Sequence, residues 1–323
     1  MSANMQTTTQ MANRQELAGD EAIIVDNLTK IYGSNRVVNG LSFTVHKGEV
    51  FALLGPNGAG KTTTIETLEG YRKPDSGTVR VLGLDPIRQA STLKPQIGVM
   101  LQQDGLYPGL TAREVLHLFA GYFQNPQPVD ALLERVGLSS AAKTRCRRLS
   151  GGQKRRLALA VALVGNPALV FLDEPTAGMD PQARLATWEI IRELQRGGAT
   201  ILLTTHLMDE AERLADRVAI IDHGSLIALD TPGGLTGVQN ANVVRFVAPA
   251  GLDCAKLAAL PHASKAEEIR PGSYLIETGD APTLLAELTA WLRDAGITLT
   301  ELRVGHGSLE DLFLRLTGTD VKE

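Results

Sequence analysis

The chain has 323 residues, a formal net charge of −4, 43% hydrophobic residues and two cysteines. That length supports two domains at about 100–200 residues each, and the apolar share is enough for a packed core in both. The mild charge gives no ground for nucleic acid or an anionic membrane surface as a partner, and the scattered Cys146 and Cys254 form neither a disulfide framework nor a zinc site, which suits a reducing cytosol.

Met1 to Asp20 is polar and lacks the apolar core of a secretory signal, so residues 1–21 read as a disordered tail. No run approaches the roughly eighteen apolar residues of a membrane span. Ile23-Ile24-Val25 starts a strand, Leu28 to Gly33 leads into a turn, and Val37 to Val45 predicts a second strand. Tyr32 has two readings, a flat ring that stacks on a purine or a half-buried tyrosine at a strand end. After Lys47-Gly48, Val50 to Leu54 is a short buried-strand run, and Lys61 to Glu69 predicts a helix stopped by Gly70.

Between that strand and helix lies Gly55-Pro56-Asn57-Gly58-Ala59-Gly60-Lys61-Thr62, which fits G-x-x-x-x-G-K-[ST]. Glycines let the loop curl its amides around anionic oxygens, and the helix N-terminus adds partial positive charge. Lys61 is expected to reach the β- and γ-phosphates, and the Thr62 hydroxyl to ligate Mg²⁺. A plain glycine turn before a helix is the bland reading; the strand and helix flanks count against it.

Gly77 to Leu82 and Ile97 to Leu101 predict strands, the second ending at Gln102-Gln103. Thr111 to Glu114 fits a capping box, Asp130 to Val136 a short helix, and the segment from Leu110 to Asn166 is mainly helical. Within it, Leu149-Ser150-Gly151-Gly152-Gln153 precedes Lys154-Arg155-Arg156 and an apolar helix from Leu157 to Val164. A serine and two glycines at a helix start make a second amide-rich anion cup, or an ordinary capped start. The nearby Lys143, Arg145, Arg147 and Arg148 read as a solvated face or as a phosphate-facing cluster.

Ala168 to Leu172 is a continuous apolar run ending in Asp173-Glu174, the pattern of a central parallel strand. Carboxylates at its C-terminal end sit where such sheets bind ligands. Asp173 suits Mg²⁺, and Glu174 suits activation of a water molecule. Pro181 opens a helix running to Arg196, with Asp180 as its N-cap. Thr200 to Thr204 is a buried strand, with His206 just beyond it; a lone histidine there is by itself a structural residue. Arg217 to Ile221 is a strand, and His223-Gly224 turns into Leu226 to Leu229. Asp230 to Gly234 reads as a linker, giving domains at 22–235 and 236–323. The second lacks any chemical motif, and its order β-α-β-β-α-β, then α, suggests a small split-βαβ domain.

Tyr32, the loop at 55–62, Gln102, Leu149 to Gln153, Asp173-Glu174 with Asp180, and His206 stand in a series that resembles the ATP-binding subunit of ABC transporters over residues 23–235. The Leu-Ser-Gly-Gly-Gln stretch separates that family from other phosphate-loop ATPases. The ending Ser308 to Leu314 resembles the drug-exporter group related to daunorubicin-resistance ATPases. The resemblance implies an α/β fold: a P-loop NTPase core with a mainly helical subdomain, plus a small α+β C-terminal domain. It implies an ATPase using ATP and Mg²⁺, acting as a homodimer with a separate integral membrane permease and no nucleic acid. Its place would be peripheral, on the cytoplasmic face of the cell membrane, energising export of drug-like or hydrophobic compounds.

Roles follow from the resemblance position by position. Tyr32 would stack on adenine. Gly55, Pro56, Asn57, Gly58, Ala59, Gly60, Lys61, Thr62 and Thr63 would hold the nucleotide. Thr62, Gln102 and Asp173 would meet the metal. Glu174, His206 and Gln102 would act in catalysis. Ser150, Gly151, Gly152 and Gln153 would contact nucleotide held by the opposite subunit, and Asp180 would organise the dimer contact. Ala177-Gly178-Met179-Asp180 differs from the commoner Ser-Ala-Leu-Asp but keeps the aspartate. The alternatives are a non-transport ABC ATPase acting on ribosomes or DNA, which the single cassette and the lack of a long coiled coil disfavour, an importer subunit, or export of lipid or polysaccharide.

Overall fold

The chain enters structure as β1 (Glu21–Tyr32) and β2 (Asn35–His46), paired antiparallel with Ile23 opposite Val45 and Tyr32 opposite Asn35. The computed structural model describes residues 20–100, 105–236, 242–306 and 308–317. The sequence places a turn lead-in from Leu28, yet β1 continues to Tyr32. The ladder to β2 carries it past Asn27, whose φ is +51°, by shifting register between Val25 and Leu28. β3 (Val50–Leu54) is buried at every position, and β4 (Ser76–Val81) returns to pair antiparallel with β1.

A second, six-stranded sheet holds the buried runs. Its order is β5 (Ile97–Met100), β6 (Leu169–Asp173), β7 (Thr200–Thr204), β3, β8 (Arg217–Asp222), β9 (Ser225–Asp230). The first five of these are parallel, which explains why they read as continuous apolar runs rather than as alternation. Phe43 of β2 stacks on Phe51 of β3 with ring centroids 5.3 Å apart, tying the two sheets together.

Helix α1 (Lys61–Leu68) follows β3. Between β5 and β6 come α2 (Ala112–Ala120), α3 (Val129–Arg135) and α4 (Gly151–Leu163). The capping box of α2 forms as expected, Thr111 accepting from the Glu114 amide and Glu114 from the Thr111 amide. Helix α4 begins at Gly151 rather than at the apolar Leu157, because Ser150 caps it. Helix α5 (Pro181–Arg196) has the expected bounds. Helix α6 (Met208–Leu214) escapes the sequence reading, being only seven residues long.

The chain divides into two compact units after Ala228. In the second, the expected linker is partly helical: α7 (Pro232–Thr236) packs against the last helix, α10 (Leu309–Thr317). Between them lie β10 (Asn242–Val247), α8 (Cys254–Ala258), β11 (Ala263–Arg270), β12 (Ser273–Thr278), α9 (Ala281–Asp294) and β13 (Glu301–His306). The sheet order is β11-β12-β10-β13 with antiparallel neighbours. β12 therefore lies between β10 and β11, which is the split-βαβ arrangement. Its core stacks Phe246 on Tyr274 at 5.1 Å and adds Leu284, Leu288 and Leu292 of α9.

Candidate nucleotide site

Three adjacent strands assemble the site. β6, β7 and β3 are neighbours, with Asp173 in register with Thr204 and Thr204 with Leu53. Because the strands are parallel, the segments leaving them emerge at one edge: the loop from Gly55, the pair Asp173-Glu174, and Thr205-His206. That edge is where open α/β sheets receive ligands.

The loop's shape needs its glycines. A Cβ on Gly55 would lie 2.4 Å from the Ile221 carbonyl oxygen. Gly60 caps α1 at φ +99°, and a Cβ there would lie 2.6 Å from the Val37 carbonyl oxygen. Lys61 folds back over the loop, its Nζ donating to the carbonyls of Gly55 at 2.6 Å and Pro56 at 3.0 Å. Burial pushes its ammonium below the ordinary lysine range, while the charges of Glu174 and Asp173 oppose that. Thr62 is exposed, whereas Thr64 is buried and donates to the Gly60 carbonyl at 2.9 Å.

Opposite the loop, Thr204 Oγ1 donates to Asp173 Oδ1. Burial raises the Asp173 carboxyl above its usual range, and the neighbouring Glu174 charge adds to this; the Thr204 bond, Arg155 and Lys61 work against it. Glu174 takes the left-handed conformation, φ +50°. Its amide donates to the Thr204 carbonyl at 3.0 Å, and its carbonyl accepts from Arg155 Nη2 at 2.8 Å. The half-exposed His206 places Nδ1 3.5 Å from Glu174 Oε1. Lys61, Asp173, Glu174 and His206 thus converge.

The other expected residues lie on separate elements. Ser150 caps α4, accepting from the Gln153 amide at 3.2 Å while its own amide donates to Gln153 Oε1 at 3.0 Å. Gly151 is exposed, and a Cβ on it would meet nothing within 4 Å. A Cβ on Gly152 would sit 3.9 Å from Met179, beside Asp180, so these two turns are neighbours. Asp180 caps α5, accepting from the Ala183 amide at 3.0 Å. Tyr32 is 40% exposed, with Lys30 Nζ and Arg72 Cζ at 5.4 and 5.6 Å from its ring centroid. Gln102 lies outside the described residues.

The model of the family described as ABC transporter matches residues 38–177. The Nod factor export ATP-binding protein I of Paraburkholderia xenovorans (strain LB400) is 42% identical over 313 residues, 94% of this chain and 99% of that protein. This chain belongs to the ATP-binding subunits of ABC transporters. The ABC subunit is also 37% identical to the daunorubicin resistance ATP-binding protein DrrA3 of Streptomyces coeruleorubidus, over 94% of this chain and 99% of that one. Among solved structures it resembles cbiO1 of Clostridium perfringens, part of the cbiONQ transporter complex. That similarity has a TM-score of 0.62 and 28% identity, and covers 68% of this chain and 92% of that one. The ABC subunit is an ATPase, and no helix among its described residues is long and apolar enough to cross a membrane.

Several residues that shape this ABC site carry no signal in the sequence. Arg155 stands in the run Lys154-Arg155-Arg156, to which the sequence reading gives no role, yet it is 7% exposed. Glu210 of α6 is fully buried and accepts through Oε1 from Thr176 Oγ1 at 2.7 Å and from Trp188 Nε1 at 2.8 Å. It thereby ties the turn after Glu174 to the helix after His206. Glu69, at the end of α1, is buried, and its carboxyl is pushed up to about 8 by burial and by the Asp173 and Glu66 charges. A hydrophobic neighbourhood assembled from distant segments is the only warning of such residues.

Proposed function

We propose that this subunit binds and hydrolyses ATP to energise export through a separate integral membrane permease, from the cytoplasmic face of the membrane. Two copies would sandwich two nucleotides, each between one subunit's loop at 55–62 and the other's Ser150–Gln153 turn. The observation that carries the reading is the convergence of Lys61, Asp173, Glu174 and His206 at the ends of adjacent parallel strands. The names of the relatives, Nod factor export and daunorubicin resistance, support export as its direction. Drug-like or other hydrophobic compounds are the proposed cargo class.

Hard oxygen donors suit Mg²⁺. Asp173 and Thr62 supply them, and a carboxyl that burial and Glu174 hold above its usual range is a setting a divalent cation relieves. Gln102 would complete that set. Bound there, Mg²⁺ would neutralise charge on the β- and γ-phosphate oxygens.

The chain's own residues do the rest. The loop amides and Lys61 hold the phosphates, and Tyr32 covers the base. Glu174 takes a proton from the attacking water as the bond from water oxygen to γ-phosphorus forms and the bond to the β-γ bridging oxygen breaks. His206 holds the water and the γ-phosphate in line. The amides of Gly151 and Gly152, in the first turn of α4, would offer donors without an anion of their own, so the partner's γ-phosphate would complete the interface. Hydrolysis divides that anion and lets the copies part, and the closing and opening drive the permease.

Glu174→Gln is expected to bind ATP and accumulate as a dimer while losing about 10²–10⁴ in turnover, the usual worth of a general base. The tagged variant, added to detergent-solubilised membranes with ATP, should retain a multi-span membrane protein in stoichiometric amount by mass spectrometry. Recovery of ribosomal proteins or nucleic acid, with no membrane protein, would overturn the transport reading. Near wild-type turnover in Glu174→Gln would overturn the catalytic assignment.

A further inference from the structure

Helix α4 faces two ways. Its first turn, capped by Ser150, is the element assigned above to the partner's nucleotide. Further along, on the same helix, Arg155 is 7% exposed. A buried guanidinium is tolerated only where polar partners replace its water. Its Nη2 donates to the Glu174 carbonyl at 2.8 Å and to the Asp173 carbonyl at 3.4 Å. We propose that Arg155 is a positioning residue, which fixes the Glu174 peptide of its own subunit from the helix that receives the partner's nucleotide. The inference rests on the ATPase reading above.

The backbone of Glu174 explains why such a clamp is needed. A φ of +50° is unfavourable for a residue with a Cβ, and such a conformation persists only where its surroundings hold it. Hydrogen bonds on both sides hold this one. On one side the Glu174 amide donates to the Thr204 carbonyl at 3.0 Å; on the other its carbonyl receives Arg155 at 2.8 Å and, at the longer 3.2 Å, the Ala177 amide. That peptide sets the direction of the carboxylate, whose Oε1 is 3.5 Å from His206 Nδ1. Without Arg155 the carbonyl keeps only the Ala177 amide, at 3.2 Å, and the peptide is held less firmly against rotation toward the commoner right-handed region. A helix is stiff over one or two turns, so a shift of the Ser150 end on meeting phosphate moves Arg155, and through it the Glu174 peptide. Each glutamate would therefore be aligned by the nucleotide bound across the dimer from its own signature turn.

Two mixed dimers with the same substitutions in different arrangements test this. In the first, Arg155→Met lies in the chain that keeps Glu174, opposite a chain carrying Glu174→Gln. In the second, Arg155→Met and Glu174→Gln lie in one chain, opposite a wild-type chain. Each dimer has one intact Glu174. The first is expected to hydrolyse ATP at least about tenfold more slowly than the second, the scale on which small misplacements act, with similar affinity for a fluorescent ATP analogue. Equal turnover in the two arrangements, or a slower second one, would overturn the proposal: a role in folding acts on both alike, and a role of the Ser150 helix in the partner's site slows the second, whose intact Glu174 faces that helix. Should Arg155→Met fail to fold, Arg155→Gln, which keeps a polar group but loses the guanidinium and its reach, is used in the same two arrangements, with a smaller difference of the same sign expected. The Glu174→Gln homodimer measured alongside separates the inference from its premise. If it retains turnover, the catalytic role of Glu174 fails; if it loses turnover while the mixed dimers are equal, only the role of Arg155 fails.

Discussion

Two carboxyls raised by burial, the part-buried Asp173 and the buried Glu69, are handled in different ways. Asp173 receives a hydroxyl from Thr204 and has Lys61 and Arg155 nearby. Glu69 has no such compensation, and burial first, then the charges of Asp173 and Glu66, raise it from 4.5 to about 8. In the unfolded chain the same carboxyl ionises near its ordinary value. Between pH 4.5 and about 8 the folded state therefore binds the extra proton, so this residue's contribution to stability falls as pH rises through that window. Glu69→Gln abolishes the dependence. Its melting temperature is expected to exceed that of wild type by at least about 3 °C at pH 8.5 and to converge on it near pH 5, at roughly 2–4 °C per kcal/mol for a domain of this size. A difference that does not change with pH would contradict a neutral buried carboxyl.

Short elements depend on long-range side chains for their placement. Helix α6 has seven residues, too few to be stable alone, and Glu210 anchors it to the 174–180 turn through Thr176 and to α5 through Trp188. Glu210→Ala leaves two buried donors unsatisfied and opens a void. The expected loss is about 2–6 kcal/mol, at about 1–3 kcal/mol for each of the two abandoned donors, read as a lower urea midpoint. Glu210→Gln keeps an acceptor for both donors and is expected to lose less than half as much. Helix α4 shows the opposite dependence. Its start follows local chemistry, the reciprocal Ser150 and Gln153 bonds, and so was legible in the sequence as a capped turn. The neighbouring apolar run alone would have started it six residues late, because the cap lies on a polar stretch.

The whole molecule consists of two units with separate cores. The second is fastened by Arg245 of β10, which pairs with Asp311 of α10; Asp311 is 4% exposed and also accepts from Ser308 Oγ at 2.8 Å. Breaking a buried ion pair strands the remaining charge, at about 3–5 kcal/mol. Asp311→Ala is therefore expected to lower the calorimetric transition of the second unit. The transition of the first should stay in place and still rise on adding MgATP, because ligand stabilises only the unit that binds it. A single transition lowered as a whole would mean that the two units unfold together.

Local chemistry alone specified the phosphate loop, the buried parallel strands, the bounds of α5 and the β-α-β-β-α-β order of the second unit. Each rests on neighbours in the chain: glycines where φ is positive, apolar runs where both faces are covered, Asp180-Pro181 at a helix start and Gly197 at its end. The motif series also carried the family. Tertiary structure alone decided that Arg155 is buried against the Glu174 carbonyl, that Thr204 meets Asp173, and that Glu210 ties α6 to the turn after Glu174. These bonds span 19, 31 and 34 residues. A charged or hydroxyl side chain has no periodicity that announces such a partner, since its burial is repaid only after sheet order and helix packing bring the distant acceptor into reach.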